Sequence, residues 1–434
     1  MIANRIRDRF LRRSIQERAE LYADPPDAGA IAARQLGLWN REWARILREV
    51  PFYAALKTKN NLPDSFTSWD QFLSSVPVTT RPQVQGASNG RSSTVAPPNH
   101  WRITGGSTAQ PVQLAAWNSE FDHTRPDTWL GRYWYGVLPA DRQFTIWGHS
   151  HLLGTGLRGF LNARKRELFD LLLHYRRFSA YDLGFENMRR AAESLLQFSP
   201  RYLVGYSVAL DAFARANRDL AAPMRALGLK VVIGAAERFP FDDSEQLLGN
   251  LFGCQIAMEY GSVETGLIAH TVPDGRYQTF WNTYFVEAQP AGPGSAATIR
   301  VTSLYPRCFP LVRYELGDEI ELEDSRLHPV LRFRRVIGRC NDYLLLPTGE
   351  HIHSEAITHA VRSSGGVTGY QVIQQPSHIR LCLTAPGQLP AECIAEIQRR
   401  LKVVHPLLAE VTIQQCGHLK HTIVGKHPMV IREF

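Results

Sequence analysis

The stretch Lys230-Val231-Val232-Ile233-Gly234-Ala235-Ala236-Glu237 is a short apolar run that ends in a turn of small residues. Similar β-rich runs lie nearby, at 144–147, 202–204 and 255–258. Helix-like segments separate these runs, at 186–197, 209–227 and 244–252. Because strands that alternate with helices are typical of parallel sheets, the sequence predicts an α/β domain with substantial parallel sheet from about residue 98 to 335.

The rest of the chain divides around this domain. Residues 1–60 have helical spacing, and residues 280–335 show the alternation and turns of a β-rich lobe. We expect a large N-terminal multi-sheet α/β domain at 1–338, a hinge at 339–342, and a small mobile α+β domain at 343–434. In the small domain the predicted order is strand 367–374, strand 379–384, helix 390–404 and strand 410–414.

Composition is that of an ordinary globular protein of 434 residues, with 44% hydrophobic and 21% charged residues. No apolar run approaches the roughly 20 residues that cross a bilayer. The basic N-terminus lacks the apolar core of a secretion signal and predicts an amphipathic helix. The six cysteines are scattered without a Cys-x-x-Cys pair, which favours reduced thiols and a cytoplasmic location over a disulfide framework or a zinc site.

The net charge is +8. Much of the excess is arginine in residues 158–177, which we interpret as helical, with Phe160, Phe169 and Tyr175 at buried positions rather than on a base-stacking platform. Composition therefore does not favour a nucleic-acid partner. An anionic small ligand or an acidic protein explains the charge equally well.

A Gly/Ser/Thr-rich loop, Thr104-Gly105-Gly106-Ser107-Thr108-Ala109-Gln110-Pro111, connects 101–103 to a strand-like run at 112–117. Its glycines leave backbone N–H groups accessible, and its hydroxyls add donors, so the loop can hold a polyphosphate. An ordinary hairpin turn explains the same composition.

Two further motifs follow predicted strands. Gly234-Ala235-Ala236-Glu237 offers a nearly bare backbone to a flat ring, and Tyr260-Gly261-Ser262-Val263-Glu264 follows the run at 255–258. Ligands collect at the carboxyl ends of strands in doubly wound sheets. There Tyr260 is placed to stack on a purine, and the carboxylate of Glu264 is suited to Mg²⁺.

Three motifs nearer the C-terminus could bind the ribose and the phosphates of the same purine nucleotide. Asp318 follows a glycine turn and can accept hydrogen bonds from ribose hydroxyls. Arg339 lies at the predicted joint, where backbone changes between catalytic states are absorbed. Lys426 lies on a glycine-flanked loop and can neutralise charge in phosphoryl chemistry.

In this order the motifs resemble the core motifs of the adenylate-forming superfamily, which includes acyl-CoA synthetases, adenylation domains and luciferases. Val50-Pro51-Phe52-Tyr53, Trp69-Asp70-Gln71-Phe72 and Val76-Pro77-Val78 resemble the phenylacetate–CoA ligase branch, which also includes capsule-biosynthesis adenylating proteins. The resemblance covers about residues 45–430. It implies that a carboxylate attacks the α-phosphate of ATP, giving an acyl-adenylate and pyrophosphate, and that a thiol, usually that of CoA, then displaces AMP.

The resemblance also assigns residues to the nucleotide. It implies that Lys426 and Glu264 are catalytic, with Glu264 as the Mg²⁺ ligand. The implied ATP- and AMP-binding residues are Thr104, Gly106, Ser107, Thr108, Ala235, Ala236, Glu237, Tyr260, Gly261, Ser262, Asp318 and Arg339.

The remaining implied roles concern the acyl group, the hinge and the thiol. The acyl pocket is expected at Trp147, His149, Tyr206, Ser207 and Gly234, and Trp147 suggests a flat or aromatic acid. Domain rotation is expected at Asn341 and Asp342, and Gly349 is expected beside the thiol tunnel.

The chain departs from the family pattern at Ala109, where glycine is usual, at Val112, where lysine or threonine is usual, and at Val263, where threonine is usual. Asn341 replaces a charged hinge residue. Three functions stay open: an acyl- or aryl-CoA ligase, an adenylating enzyme that transfers to a carrier-protein phosphopantetheine, an amine or a hydroxyl, and a degenerate nucleotide-binding scaffold. Expected partners are a carboxylic acid and an acidic carrier protein, with no membrane span, and a monomer and a homodimer both stay open.

Overall fold

The computed structural model describes residues 2–84, 90–103, 112–147, 156–180, 184–290, 296–339, 343–345, 351–353, 357, 360–361, 366–376, 378–420 and 428–433. Within these ranges the protein is a mixed α/β molecule with a large N-terminal part and a smaller C-terminal part. The predicted fold class is thereby confirmed, while the domain boundaries stay predictions.

The N-terminal segment is helical, as its spacing predicts. Its helices are α1 (Ile2–Ala23), α2 (Ala28–Glu49), α3 (Pro51–Asn60), α4 (Trp69–Ser75) and α5 (Arg81–Val84). The Ser68 hydroxyl accepts the Gln71 N–H at the start of α4, a cap that the sequence spacing indicates. Trp69 then stacks on Phe285 of the large sheet, with ring centroids 3.5 Å apart, and this contact helps to anchor the helical segment to the sheet.

The large part contains a two-stranded hairpin and one 11-stranded sheet. The hairpin strands are β1 (His100–Ile103) and β2 (Gln113–Ala116). The sheet strands are β3 (Gln143–Trp147), β4 (Tyr175–Ser179), β5 (Tyr202–Tyr206), β6 (Val231–Ala235), β7 (Gln255–Ser262), β8 (Gly266–Thr271), β9 (Tyr277–Thr279), β10 (Tyr284–Pro290), β11 (Ala296–Ser303), β12 (Tyr314–Leu322) and β13 (Arg332–Arg339).

The sheet has the strand order β10-β11-β12-β13-β9-β8-β7-β6-β5-β3-β4. The strands from β7 to β4 are parallel, and those from β8 to β10 are antiparallel, so β7 joins the two halves. Crossover helices connect the parallel strands because parallel neighbours cannot be joined by a tight turn. The helices of this part are α6 (Ser119–Tyr133), α7 (Gly156–Leu172), α8 (Phe185–Phe198), α9 (Ser207–Ala216), α10 (Ala221–Ala226) and α11 (Ser244–Phe252).

The smaller C-terminal part has its own apolar core, which includes Tyr370, Leu381, Ile397 and Leu401. Its four-stranded sheet has the order β18-β17-β16-β19. The elements are β14 (Tyr343–Leu345), β15 (His351–His353), β16 (Gly369–Gln375), β17 (His378–Thr384), α12 (Ala391–Val404), β18 (Thr412–Gln415) and β19 (Val430–Arg432). The predicted strand–strand–helix–strand order of this part is confirmed.

One helical interpretation is wrong. Residues 158–177 are not a single helix, because α7 ends at Leu172 and β4 begins at Tyr175. His174 has φ +54° between them, a left-handed conformation that stops the helix. Phe169, expected to be buried, is exposed. Among the described helices none combines the length and apolarity that a bilayer crossing requires.

Candidate functional site

The candidate site is built around the turn between β7 and β8, where the parallel half of the sheet meets the antiparallel half. A Cβ atom at Gly261 would lie 2.1 Å from the carbonyl oxygen of Gly266. Only glycine fits such a close approach of two backbones. The two strands also shift register at this point, between Tyr260 and Gly261. The glycine of the motif is therefore required by the shape of the turn.

Two hydroxyl side chains close the turn. The Ser262 N–H donates to Thr265 Oγ1 at 3.1 Å, and the Thr265 N–H donates to Ser262 Oγ at 3.2 Å. Between them Val263 is 41% exposed, whereas Glu264 is only 5% exposed. The turn therefore presents Val263 outward and buries the carboxylate that the sequence selects as a metal ligand.

Strand β12 contacts this region at two points. The Asp318 carboxylate accepts a hydrogen bond from the Tyr260 hydroxyl at 2.9 Å. The Tyr314 hydroxyl lies 3.4 Å from Glu264 Oε1. Gly317 precedes Asp318 with φ +73°, a conformation that favours glycine. The structure thus brings the predicted residues Tyr260 and Asp318 into contact, and it places Glu264 beside Tyr314 of the same strand.

Arg339 is the last residue of β13. Its backbone lies opposite Asp318 in the β12–β13 register. The predicted ribose pair is therefore adjacent on neighbouring strands, and its role with ribose stays a prediction.

The surroundings of Glu264 would allow its carboxylate to act as one ligand of a metal ion. Its Oε1 atom lies 3.4 Å from Arg81 Nη1 as well as from the Tyr314 hydroxyl, and both contacts are long for hydrogen bonds. Among the described residues there is no group of three or more His, Cys, Asp or Glu side chains placed to bind a metal. A single carboxylate fits a Mg²⁺ ion that takes its other ligands from phosphates and water.

The phosphate-loop residues Thr104, Gly106, Ser107 and Thr108 lie outside the described residues, but the hairpin on either side is described. Arg102 on β1 donates to the backbone carbonyl of Glu264 at 3.3 Å. The chain therefore enters the loop beside the Glu264 turn. Val112, at the other end, is fully buried in a cluster with Leu311 and Tyr314. This burial explains an apolar residue where the family pattern has a polar one.

The small-residue turn after β6 is closely packed. A Cβ atom at Gly234 would lie 2.5 Å from Met258 Sδ and 2.9 Å from Ser207 Oγ. Ala235 is buried, and Ala236 has φ +71°. Protein atoms thus occupy the space beside Gly234. The assignment of Ala235, Ala236 and Glu237 to the nucleotide stays a prediction.

The predicted acyl-pocket residues separate into two groups. Trp147 and Tyr206 are in ring contact, with centroids 4.2 Å apart. Trp147 also lines a cavity of about 830 Å³ along β4 and α7, together with Arg142, Arg166, Arg176 and Arg177. Tyr206, Ser207 and Gly234 do not line this cavity. An acyl pocket at these residues stays a prediction.

Several predicted residues lie outside the described residues, so their positions are not given. They are His149, Asn341, Asp342, Gly349 and Lys426.

Sequence reasoning missed three charged residues behind the Glu264 turn: Glu120 and Arg307, which are buried, and Arg102, which is partly buried. They are far apart in the sequence and belong to no motif. One signal was present, because Arg307 is a lone charge within the apolar run Leu304-Tyr305-Pro306-Arg307-Cys308-Phe309. A charge in such a run is buried at a cost and needs partners.

Comparison with known proteins extends these observations. No protein-family model matches the chain. Protein CapK of Staphylococcus aureus is 24% identical over 251 residues. The matched stretch is 56% of this chain and about half of CapK, 53% of its length.

Solved structures give a more extensive match. A 2-hydroxyisobutyryl-CoA ligase in the postadenylation state, bound to 2-HIB-AMP, has a TM-score of 0.71 at 16% identity, covering 94% of this chain and 90% of that one. The same ligase with 2-HIB-AMP and CoA in the thioesterification state has a TM-score of 0.60 at 17% identity, covering 94% and 91%. An anthranilate CoA ligase with anthranoyl-AMP has a TM-score of 0.50 at 13% identity, covering 76% and 65%. The chain therefore has the fold of the adenylate-forming CoA ligases.

Proposed function

We propose that the protein activates a carboxylic acid with ATP and then transfers the acyl group to a thiol. In the first step a carboxylate oxygen bonds to the α-phosphorus of ATP, the bond to the β-phosphate breaks, and pyrophosphate leaves. In the second step the thiol sulfur bonds to the acyl carbon and AMP leaves. The observation that carries the proposal is the hydrogen bond between Tyr260 and Asp318, with Glu264 placed beside Tyr314 of the same strand β12, at the join between the two half-sheets.

The described residues suit the nucleotide end of this reaction. Asp318 Oδ2 holds the Tyr260 hydroxyl, which fixes the ring against Phe333 and Tyr277. The backbone of Asp318 also lies opposite that of Arg339, and the family resemblance implies that both residues bind the ribose. Glu264 would hold Mg²⁺, which offsets charge on the phosphates as pyrophosphate leaves. By the family resemblance, Lys426 would bridge the carboxylate and the phosphate during adenylation.

The acceptor and the acid belong to the same proposal. CoA is the first candidate because two of the matched structures are CoA ligases that carry an acyl-AMP. The net charge of +8 favours an acidic carrier protein as the alternative acceptor, because opposite charges speed the encounter of two proteins. Trp147, beside Tyr206, favours a flat or aromatic acid.

The first experiment tests a panel of carboxylic acids as substrates. Carboxylate-dependent return of labelled pyrophosphate into ATP is expected for at least one acid, and thioester formation is expected when CoA or a phosphopantetheinylated carrier protein is added. If no aliphatic or aromatic acid in the panel supports exchange, the scaffold alternative replaces this proposal. Competition between CoA and the carrier protein then separates the two acceptors.

The second experiment tests Lys426. Lys426→Ala is expected to reduce pyrophosphate exchange by at least about 10²-fold, while it spares thioester formation from supplied acyl-AMP. The matched control is Lys402→Ala, an exposed lysine of α12 in the same part of the chain, which should leave both rates unchanged. Exchange that survives in Lys426→Ala would contradict the assignment.

A further inference from the structure

A cluster of opposite charges, two of them buried and one partly buried, lies directly behind the Glu264 turn. It consists of Glu120 at the start of α6, Arg102 on β1, and Arg307 in the segment between β11 and β12. Glu120 is 0% exposed and Arg307 is 1% exposed. Charges so far from water are retained only with close partners, and each of the three has them.

Glu120 is the centre of the cluster. Its Oε2 atom lies 2.8 Å from Arg102 Nη2 and 3.7 Å from Arg307 Nε. Its Oε1 atom accepts the N–H groups of Trp117 and Cys308, both at 3.0 Å. One carboxylate thus aligns two guanidinium groups and leaves their outer N–H groups available to the turn.

Both arginines use those N–H groups on the same backbone oxygen. Arg102 Nη1 donates to the Glu264 carbonyl at 3.3 Å, and Arg307 Nη2 donates to the same carbonyl at 2.5 Å. Arg307 Nη1 also reaches the Thr265 carbonyl at 3.4 Å, which accepts the Tyr284 hydroxyl as well. The backbone of the turn is therefore held from behind at two consecutive carbonyls.

The Glu264 side chain has different partners. Its carboxylate lies beside Arg81 and Tyr314, whereas Arg102 and Arg307 contact the backbone of this residue. The cluster can therefore fix the position of the Glu264 backbone, from which the side chain extends, without pairing with the carboxylate itself. Burial, and then the nearby charge of Arg307, lower the pKa of Arg102; a cation kept under such conditions is costly to the fold.

We propose that Arg102, Glu120 and Arg307 are positioning residues that lock the Glu264 turn to β1, the strand that enters the 104–111 loop. The inference rests on the proposed function, in which that loop and Glu264 hold MgATP. Arg102 is two residues before Thr104 in the sequence, so its contact with Glu264 ties together the two segments that would share the phosphates. A single frame then sets the distance between Glu264 and the end of β1, the strand from which the loop continues, and phosphoryl chemistry is sensitive to such placement.

The test compares Arg307→Met, Arg307→Lys and Arg215→Met. Methionine keeps the length and apolar volume of the arginine stem and removes its donors, and lysine restores the charge without the fork. Arg215 is the control: it is also largely buried and pairs with Asp211 and Asp243, but it lies on α9 and contacts no residue of the turn. Unfolding in urea is measured for every variant, so that lost stability is scored separately.

For Arg307→Met we expect kcat/KM for MgATP in pyrophosphate exchange to fall by about 10²-fold. The Mg²⁺ concentration for half-maximal rate should rise, and thioester formation from supplied acyl-AMP should change by less than about threefold, because no pyrophosphate leaves in that step. Arg307→Lys should recover part of the loss. Arg215→Met should leave the Mg²⁺ dependence unchanged.

Two outcomes would overturn the inference. One is an Arg307→Met protein whose two half-reactions fall equally. The other is a loss of stability with an unchanged Mg²⁺ dependence. Failure of the proposed function is recognised separately, by a wild-type protein that exchanges pyrophosphate with no acid. In that case MgATP binding by calorimetry decides the matter: affinity at least about tenfold weaker in Arg307→Met supports positioning, and equal affinity refutes it.

Discussion

The Glu264 turn and the sheet edge formed by β4 differ in how many buried contacts hold their backbone. At the turn, Arg102 of β1 and Arg307 of the segment before β12 hold one short stretch of backbone. Glu120 of α6 holds both arginines, and Tyr314 of β12 lies beside the Glu264 side chain. At the edge, α7 leaves Leu161, Leu168, Phe169, Leu171 and Leu172 exposed, and arginines line an open cavity. The difference shows where this fold requires fixed geometry, because backbone held by many buried contacts opens rarely and backbone with few such contacts opens often.

The largest expected effect comes from the closest approach at the turn. Gly261→Ala should destabilise the protein by about 3 kcal/mol or more, because the new methyl would meet the Gly266 carbonyl and overpacking against backbone cannot relax easily. Gly387→Ala is the control, since a Cβ there meets no atom within 4 Å. Urea unfolding measures both variants. Equal stability would show that the turn is looser than described and would erase the contrast with the edge.

A chemical probe gives the next effect. Burial, together with the charge of Glu120, raises the pKa of the Cys308 thiol to about 11. At pH 8 its thiolate fraction should be about 10²-fold lower than that of an ordinary cysteine. Alkylation by iodoacetamide, followed by mass spectrometry, should therefore modify the partly exposed Cys416 long before Cys308. Similar rates would mean that the region behind the turn opens as readily as the surface.

A smaller effect is expected from the bond between Tyr260 and Asp318. Tyr260→Phe removes one hydrogen bond to a carboxylate, which typically contributes about 1.5 kcal/mol or slightly more. We expect KM for ATP to rise by roughly tenfold with kcat nearly constant, measured by pyrophosphate exchange. Tyr133→Phe, at an exposed tyrosine on α6, is the control. An unchanged KM would remove Tyr260 from the nucleotide site.

The smallest effect is expected at the edge. Leu171 is 73% exposed, so Leu171→Lys should change the free energy of unfolding by no more than about 0.5 kcal/mol. The buried Leu195 of α8 provides the comparison, since Leu195→Ala should cost about 2–5 kcal/mol. A large loss in Leu171→Lys would show that the edge is packed in solution and is not the loose region of the molecule.

The sequence predicts the turn better than the edge, for physical reasons. Strands β5 and β6 are fully buried apolar runs between helices, so the presence of a parallel sheet follows from local pattern. Tyr260, Glu264 and Asp318 lie where such strands end or bend. At the edge, Arg176 and Arg177 make β4 hard to recognise as a strand from sequence, because arginine is a good helix former and an edge strand tolerates charge.

The residues that support the site are harder to predict than the site itself. Arg102, Glu120 and Arg307 meet only after three separate parts of the chain have folded. No spacing in the sequence connects them, and their contribution to holding the site depends on partners that the sequence does not identify. The packing at Gly234 is similar, since Met258 and Ser207 fill its space from two other elements.

Strand β7 also has a consequence for how the protein folds. All strands of the parallel half precede β7 in the chain, and all strands of the antiparallel half follow it. Each half can therefore form from contacts within its own stretch of chain, which shortens the loops that must close. Strand β7 pairs with β6 over residues 255–258 and with β8 over residues 259–262. The protected amide protons of the first stretch should therefore exchange with solvent when the parallel half opens, and those of the second stretch when the antiparallel half opens. The Glu264 turn thus lies where the parallel half of the sheet meets the antiparallel half, and we expect the site to be complete only after the two halves have joined.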